Sequence, residues 1–229
     1  MTIPPVPPRG WLPLTPRMTR VSLWCGAGAL AVGSFIAITH KTVIEQDTVN
    51  IDRAVLLWMA RFRSPLLTGA MVDLTALGSP TLVTVFTVVT FFILLALHHR
   101  RSSLQLAIAS LGTWLLTYVT KDIVERRRPT EVQHLVQVSG FSYPSGHSLA
   151  AAALYLTIAI VASGHLRSRA EKATIIVGAF VLIGMVGISR VYLGVHYPSD
   201  VASGVSLGTA WALVLAAVFS LTAPRVRQG

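Results

Sequence analysis

The chain has 229 residues, 53% of them apolar and only 12% charged, with a mean hydropathy of +0.64. Soluble domains carry about 25% charged residues, so this balance excludes a disordered protein, a disulfide-stapled scaffold and an ordinary soluble domain. It describes one membrane domain. The formal charge of +10 is not read as a nucleic-acid signal, because membrane chains use Lys and Arg in cytoplasmic loops to set their orientation.

In chain order, residues 1–20 contain Pro4, Pro5, Pro7, Pro8, Pro13 and Pro16 and read as a proline-rich tail. No apolar run with a cleavage site comes before the first span, so residues 21–39 are expected to stay as an uncleaved anchor. Cys25 inside that run reads as a small packing residue. Apolar runs follow at 80–97, 103–120, 145–163, 173–189 and 201–222, each near the length a helix needs to cross a bilayer. The expected fold is therefore all-α: a polytopic six-helix membrane bundle occupying residues 21–222, with a basic tail at 223–229. None of the six interiors holds Asp, Glu, Lys or Arg, which argues against proton-coupled transport.

The connection 40–79 is more than a linker. Ile51, Val55, Trp58, Met59 and Phe62 recur at helical spacing, punctuated by Asp52, Arg53, Arg61 and Arg63. This is either a short amphipathic helix in the headgroup layer or a helix packed over the bundle. Basic residues in the short loops 98–102 and 164–172 place both termini on the cytoplasmic side. The loops after the third and fifth spans then open on the outer face.

Those outer loops hold the chemistry. The first segment runs from Lys121 to Arg128-Pro129, the second is Tyr143-Pro144-Ser145-Gly146-His147, and the third comprises Ser189-Arg190, His196 and Asp200. Cations beside the free N–H groups of a helix start suit a phosphate. Arg can hold its oxygens bidentately while Lys acts as a point charge. His196 and Asp200, four apart, share a helical face. A carboxylate there can take one ring N–H and leave the other nitrogen as nucleophile or base. His147 can donate a proton to a leaving oxygen. Arg126 and Arg127 read as an interfacial basic cluster for anionic headgroups. The face made by Gly204 and Gly208 reads as close helix packing rather than a dimer seam.

With these segments the chain resembles the type 2 phosphatidic acid phosphatase superfamily, the membrane branch of the acid phosphatase and vanadium haloperoxidase fold. Lys121 with Arg128-Pro129, the run Pro144-Ser145-Gly146-His147, and Ser189-Arg190 with His196 and Asp200 meet its three motifs without a departure. The resemblance implies that His196 attacks phosphorus to form a phosphohistidine, that Asp200 orients it, and that His147 protonates the leaving group. It implies that Lys121, Arg128, Arg190, Ser145 and the Gly146 N–H hold the phosphate, with no metal and no cofactor.

The expected activity is hydrolysis of a lipid phosphate or diphosphate at the outer, periplasmic side of the plasma membrane. Undecaprenyl diphosphate is the first candidate; phosphatidylglycerol phosphate and phosphatidic acid are the others. The partners are that lipid and the bilayer, with no nucleic acid. A lipid phosphotransferase sharing the phosphohistidine, and a non-catalytic lipid-phosphate transporter or scaffold, stay open as alternatives. A haloperoxidase is disfavoured by the composition.

Overall fold

Each of the six apolar runs forms a helix in the computed structural model, which describes residues 16–222. The helices are α1 (Pro16–Thr39), continued by a π-helical turn (His40–Ile44), α2 (Val49–Ala60), α3 (Pro65–Ala76), α4 (Pro80–Ala96), α5 (Arg100–Val124), α6 (Gly146–Ser163), α7 (Arg169–Tyr192) and α8 (Pro198–Leu221). No strand occurs among the described residues. The prolines before residue 16 and the basic residues after 222 lie outside them.

Local chemistry sets where the helices start. Ser64, Ser79, Ser145 and Ser168 are N-caps whose hydroxyls accept a backbone N–H from the first turn. Pro65 and Pro80 follow at the first helical position, where a missing N–H costs nothing. Ser168 and Glu171 close a reciprocal capping box at α7.

Among the described residues, four helices are long and apolar enough to cross a membrane: α1 with its π turn, α6, α7 and α8. Helices α3 and α4, bent by 47° at their break, make a fifth if taken as one span. α4 alone has 17 residues, and the 25-residue α5 is diluted by serines and threonines and charged at both ends. The segment 40–79 is thus two helices, and the second of them abuts α4.

Helix α8 is the axis of the bundle, packed on α1, α6 and α5. A Cβ on Gly204 would lie 2.5 Å from the Ser145 carbonyl oxygen, and one on Gly208 would lie 2.3 Å from that of Leu149. The two glycines therefore let α8 touch the backbone of α6, as expected for small residues at membrane helix contacts. Trp211 of α8 donates its indole N–H to the Ala109 carbonyl of α5 at 3.0 Å. Val83, Leu106 and Leu154 join α4, α5 and α6. Cys25 is exposed on α1, not packed inside.

The two ends of the bundle differ. At one end Arg17 of α1 and Arg101 of α5 donate to the last carbonyls of α8, at Ser220, Leu221, Phe219 and Thr222. They satisfy acceptors a helix C-terminus leaves open. His99 and His165 meet there as well, with ring centroids 4.4 Å apart. The start of α1, the end of α8 and the basic loops 98–102 and 164–172 therefore share one end. The three motif segments share the other.

Candidate active site

The turn between α7 and α8 places the central histidine. Gly194 has φ +78, and a Cβ there would lie 2.9 Å from the Gln133 carbonyl oxygen and 2.7 Å from Arg63 Nη2. Only glycine adopts this conformation in that space without strain. Arg63 braces the turn by donating to the Tyr192 and Gln133 carbonyls. The chain then delivers His196, 2% exposed, beside Asp200 in the first turn of α8, 0% exposed.

The two ring nitrogens of His196 face different neighbours. Nδ1 lies 3.5 Å from Asp200 Oδ2, beyond a made hydrogen bond, and it is buried without another partner. Asp200 Oδ2 instead accepts the Tyr197 N–H at 2.9 Å. On the other side Nε2 is 3.3 Å from Arg128 Nη1. Burial lowers the His196 pKa to about 4, opposed by Asp200 and reinforced by Arg190 and Arg128. The imidazole is therefore neutral at pH 7, with a lone pair directed at the cations when Nδ1 carries the proton.

Arg128 is fixed through all three nitrogens. Nε donates to the Gly140 carbonyl at 3.0 Å, Nη2 to Ser139 at 2.9 Å and Nη1 to Val195 at 2.9 Å. A guanidinium has five N–H donors, so donors remain for an anion. Lysine cannot reproduce the fork. Arg128→Lys should lower kcat/KM by about tenfold to a hundredfold, the equivalent of roughly 1.5–3 kcal/mol for hydrogen bonds to a charged group. Steady-state phosphate release would show it, and unchanged kinetics would count against a role for the fork.

The remaining candidates assemble around the start of α6. Ser145 is its N-cap, and its N–H donates to the Asp200 carbonyl at 2.9 Å, tying the second motif segment to the third. Its Oγ accepts from the Ser148 hydroxyl at 2.9 Å, leaving its own proton to donate. Gly146 opens the helix against Thr117. Lys121, in the last turn of α5, donates Nζ to the Phe141 carbonyl. Arg190, 3% exposed, donates Nη1 to Thr75 Oγ1 at 2.8 Å, while its Nε has no partner. Lys121, Arg128, Arg190 and His196 all lie within electrostatic range of His147. The eight residues singled out from the sequence thus meet at one end of the bundle.

Tyr143 is fully buried, its hydroxyl bonded to Thr39 of α1 and Ser203 of α8 at 2.6 Å each. It ties α1 and α8 together beside the site. His40 pairs with Glu45 on the surface, and His134 Nε2 contacts the Pro129 carbonyl.

Two contributors escaped the sequence reading. Arg126 is not a headgroup-binding surface residue: its guanidinium bridges Asp200 and Asp52, at 2.8 Å to the latter. Burial alone would lower its pKa, and the two carboxylates reverse this and raise it. Asp52 of α2 is 2% exposed and bound to Ser199. One signal was present for Arg126. Residues 126–128 lie outside any helix, ahead of a proline, where alternate residues share a side. Arg126 and Arg128 point inward and Arg127 is exposed. Asp52 offered no such signal, because a lone acid on an amphipathic helix is normally solvated.

Comparison with known proteins agrees with this assembly. The PAP2 superfamily pattern matches residues 102–222. Phosphatidylglycerophosphatase B of Bacillus subtilis is 35% identical over 179 residues, 75% of this chain and 83% of that protein. An undecaprenyl-diphosphatase of Sulfolobus acidocaldarius is 29% identical over 163 residues, 69% of this chain and 73% of the relative. The crystal structure of the transmembrane PAP2-type phosphatidylglycerolphosphate phosphatase from Bacillus subtilis superposes with a TM-score of 0.76 at 30% identity, covering 82% of this chain and 93% of the other. The family pattern spans more than half of the chain and the fold is shared almost throughout, so the chain belongs to the PAP2 superfamily, phosphatases that need no metal, as a multi-pass membrane lipid phosphatase.

Proposed function

We propose that the protein hydrolyses a lipid phosphate or diphosphate through a phosphohistidine on His196. The observation that carries this reading is the orientation of the imidazole, with Nδ1 towards Asp200 at 3.5 Å and Nε2 towards Arg128 at 3.3 Å. A phosphate held by Lys121, Arg128, Arg190, the Ser145 hydroxyl and the Gly146 N–H presents its phosphorus to Nε2. Nε2 attacks, the bond from phosphorus to the lipid-side oxygen breaks, and His147 gives that oxygen a proton. Asp200, 3.5 Å from Nδ1, stabilises the positive charge that develops on the ring. Water then attacks the phosphohistidine and passes a proton to His147, releasing phosphate and restoring His196. Fixed cations supply the charge neutralisation that phosphoryl transfer demands.

The same reading places six spans in the bilayer: α1, α4 with α3, α5, α6, α7 and α8. An even number of crossings is supported by the contact of α1's start with α8's end, and α5 is packed between α4 and α6. On this reading both termini are cytoplasmic and the site faces outward, which the basic residues of the loops at that end support. Ile51, Val55 and Trp58 of α2 and Phe62 just beyond its end are all exposed, and this apolar stripe fits a helix lying at the headgroup layer. An outward site favours undecaprenyl diphosphate, and the relatives' names add phosphatidylglycerol phosphate.

The test is phosphate release by purified protein in detergent containing EDTA, on undecaprenyl diphosphate, phosphatidylglycerol phosphate and phosphatidic acid in parallel. Turnover that survives EDTA is expected, with undecaprenyl diphosphate the best of the three. No turnover of any of them by folded protein would overturn the hydrolase reading in favour of phosphoryl transfer to another lipid.

A further inference from the structure

Asp52 lies outside the three motif segments, and Arg126 lies within the first but at none of its motif positions, yet both are built into the site. Helix α2 turns Asp52 and Leu56 inward and its apolar stripe outward. The Asp52 carboxylate is fully engaged: Oδ1 accepts the Ser199 N–H at 2.9 Å, and Oδ2 accepts from Arg126 Nη2 at 2.8 Å and from the Ser199 hydroxyl. The other arm of the same guanidinium holds Asp200 Oδ1 and, at 2.7 Å, Ser199 Oγ. Its carbon lies 4.3 Å from the centre of the Tyr197 ring, a cation–π contact that fixes its plane.

The charges give this geometry a consequence. Attack by His196 builds positive charge on its ring, and Asp200 is the carboxylate placed to stabilise it. A guanidinium paired with Asp200 alone would cancel that carboxylate. Asp52 supplies the compensating charge, so the three groups together keep one net negative charge beside Nδ1. That charge matters because the other groups around His196 are Arg190 on α7, Arg128 in the α5–α6 connection and His147 on α6.

We infer that Asp52 and Arg126 are a positioning pair that sets the orientation and net charge of Asp200, and through it the reactivity of His196. This rests on His196 being the nucleophile.

The experiment uses the full-length protein in detergent micelles with phosphatidylglycerol phosphate, measuring kcat, KM and the pH profile of kcat/KM. Asp52→Asn should lower kcat by about tenfold or more with KM little changed, as for an interaction expressed in the transition state. Its acid limb should move to lower pH, because removing a negative charge disfavours the imidazolium. Arg126→Gln should also lower kcat but move the limb to higher pH. The double variant should keep a low kcat and return the limb to its parental position. Asp52→Glu, which retains the charge, should leave the limb in place.

The limb reports surviving active molecules, so poor folding of one variant does not mask the result. Limbs that stay at the parental pH in both single variants, with His196→Ala inactive, would overturn the pair's role alone. Activity retained in His196→Ala would instead overturn the nucleophile assignment beneath it.

Discussion

Replacing His196 with Ala is expected to abolish phosphate release, by at least about a thousandfold, because a covalent nucleophile has no substitute within reach. Asp200 lies 3.5 Å from Nδ1, and Arg128, 3.3 Å from Nε2, is a guanidinium that cannot act as a nucleophile in its place. The same variant has a signature in stability. Burial lowers the histidine to about 4 in the folded protein, against an ordinary value of 6.5. Between those values the unfolded chain binds the extra proton, so the parent loses stability as pH falls from about 6.5 to 4, and no further below. His196→Ala lacks this loss. Thermal unfolding at pH 7.5 and pH 5 should therefore show a smaller drop for the variant than for the parent. Phosphate release at the parental rate would sink the phosphohistidine, and equal pH dependence of Tm would contradict the buried neutral imidazole.

The second large effect is expected at Gly208. Ala at this position puts a methyl group 2.3 Å from the Leu149 carbonyl oxygen and 2.9 Å from Ala152 Cβ. The nearest obstacle is backbone, so no side chain can swing aside and α6 must move off α8. Forced overpacking costs about 1–3 kcal/mol, and here it also displaces the N-cap of α6. Ser145 is tied to the Asp200 carbonyl at 2.9 Å, so separation of the helices distorts the phosphate cradle along with the fold. Gly208→Ala should lower both Tm and kcat/KM. Gly184→Ala, a mid-helix glycine with nothing within 4 Å, should be neutral or slightly stabilising, since Ala is the better helix former. Equal behaviour of the two variants would refute the packing account.

Much of this was legible in the chain itself. The apolar runs coincide with helices because a bilayer leaves the backbone few alternatives. The serine caps and the prolines after them are local signals, and they mark helix starts within a residue or so. The Gly204 and Gly208 spacing showed a close contact. His196 and Asp200 four apart, and the cations spaced around them, marked a candidate phosphate site that the fold then brings together at one end of the bundle. The segment 40–79 was less legible. Its helical period was plain, yet the exposed stripe of Ile51, Val55, Trp58 and Phe62 is the same pattern a bundle-facing helix would show. Apolar periodicity has a direction only once the surroundings are known.

The sequence alone therefore determined the membrane class, the six apolar helices and the residues of the candidate site, since each rests on composition or on spacings of a few residues. Only the tertiary structure decided which charges are spent inside the protein. Arg126 and Arg127 are adjacent and chemically identical, yet one bridges Asp52 and Asp200 while the other is exposed. Asp52 and Arg126 are 74 residues apart, and no local rule couples such positions. Their pairing depends on α2 packing against α7 and α8, where burial makes an unpaired charge costly and a bridging guanidinium the stable solution.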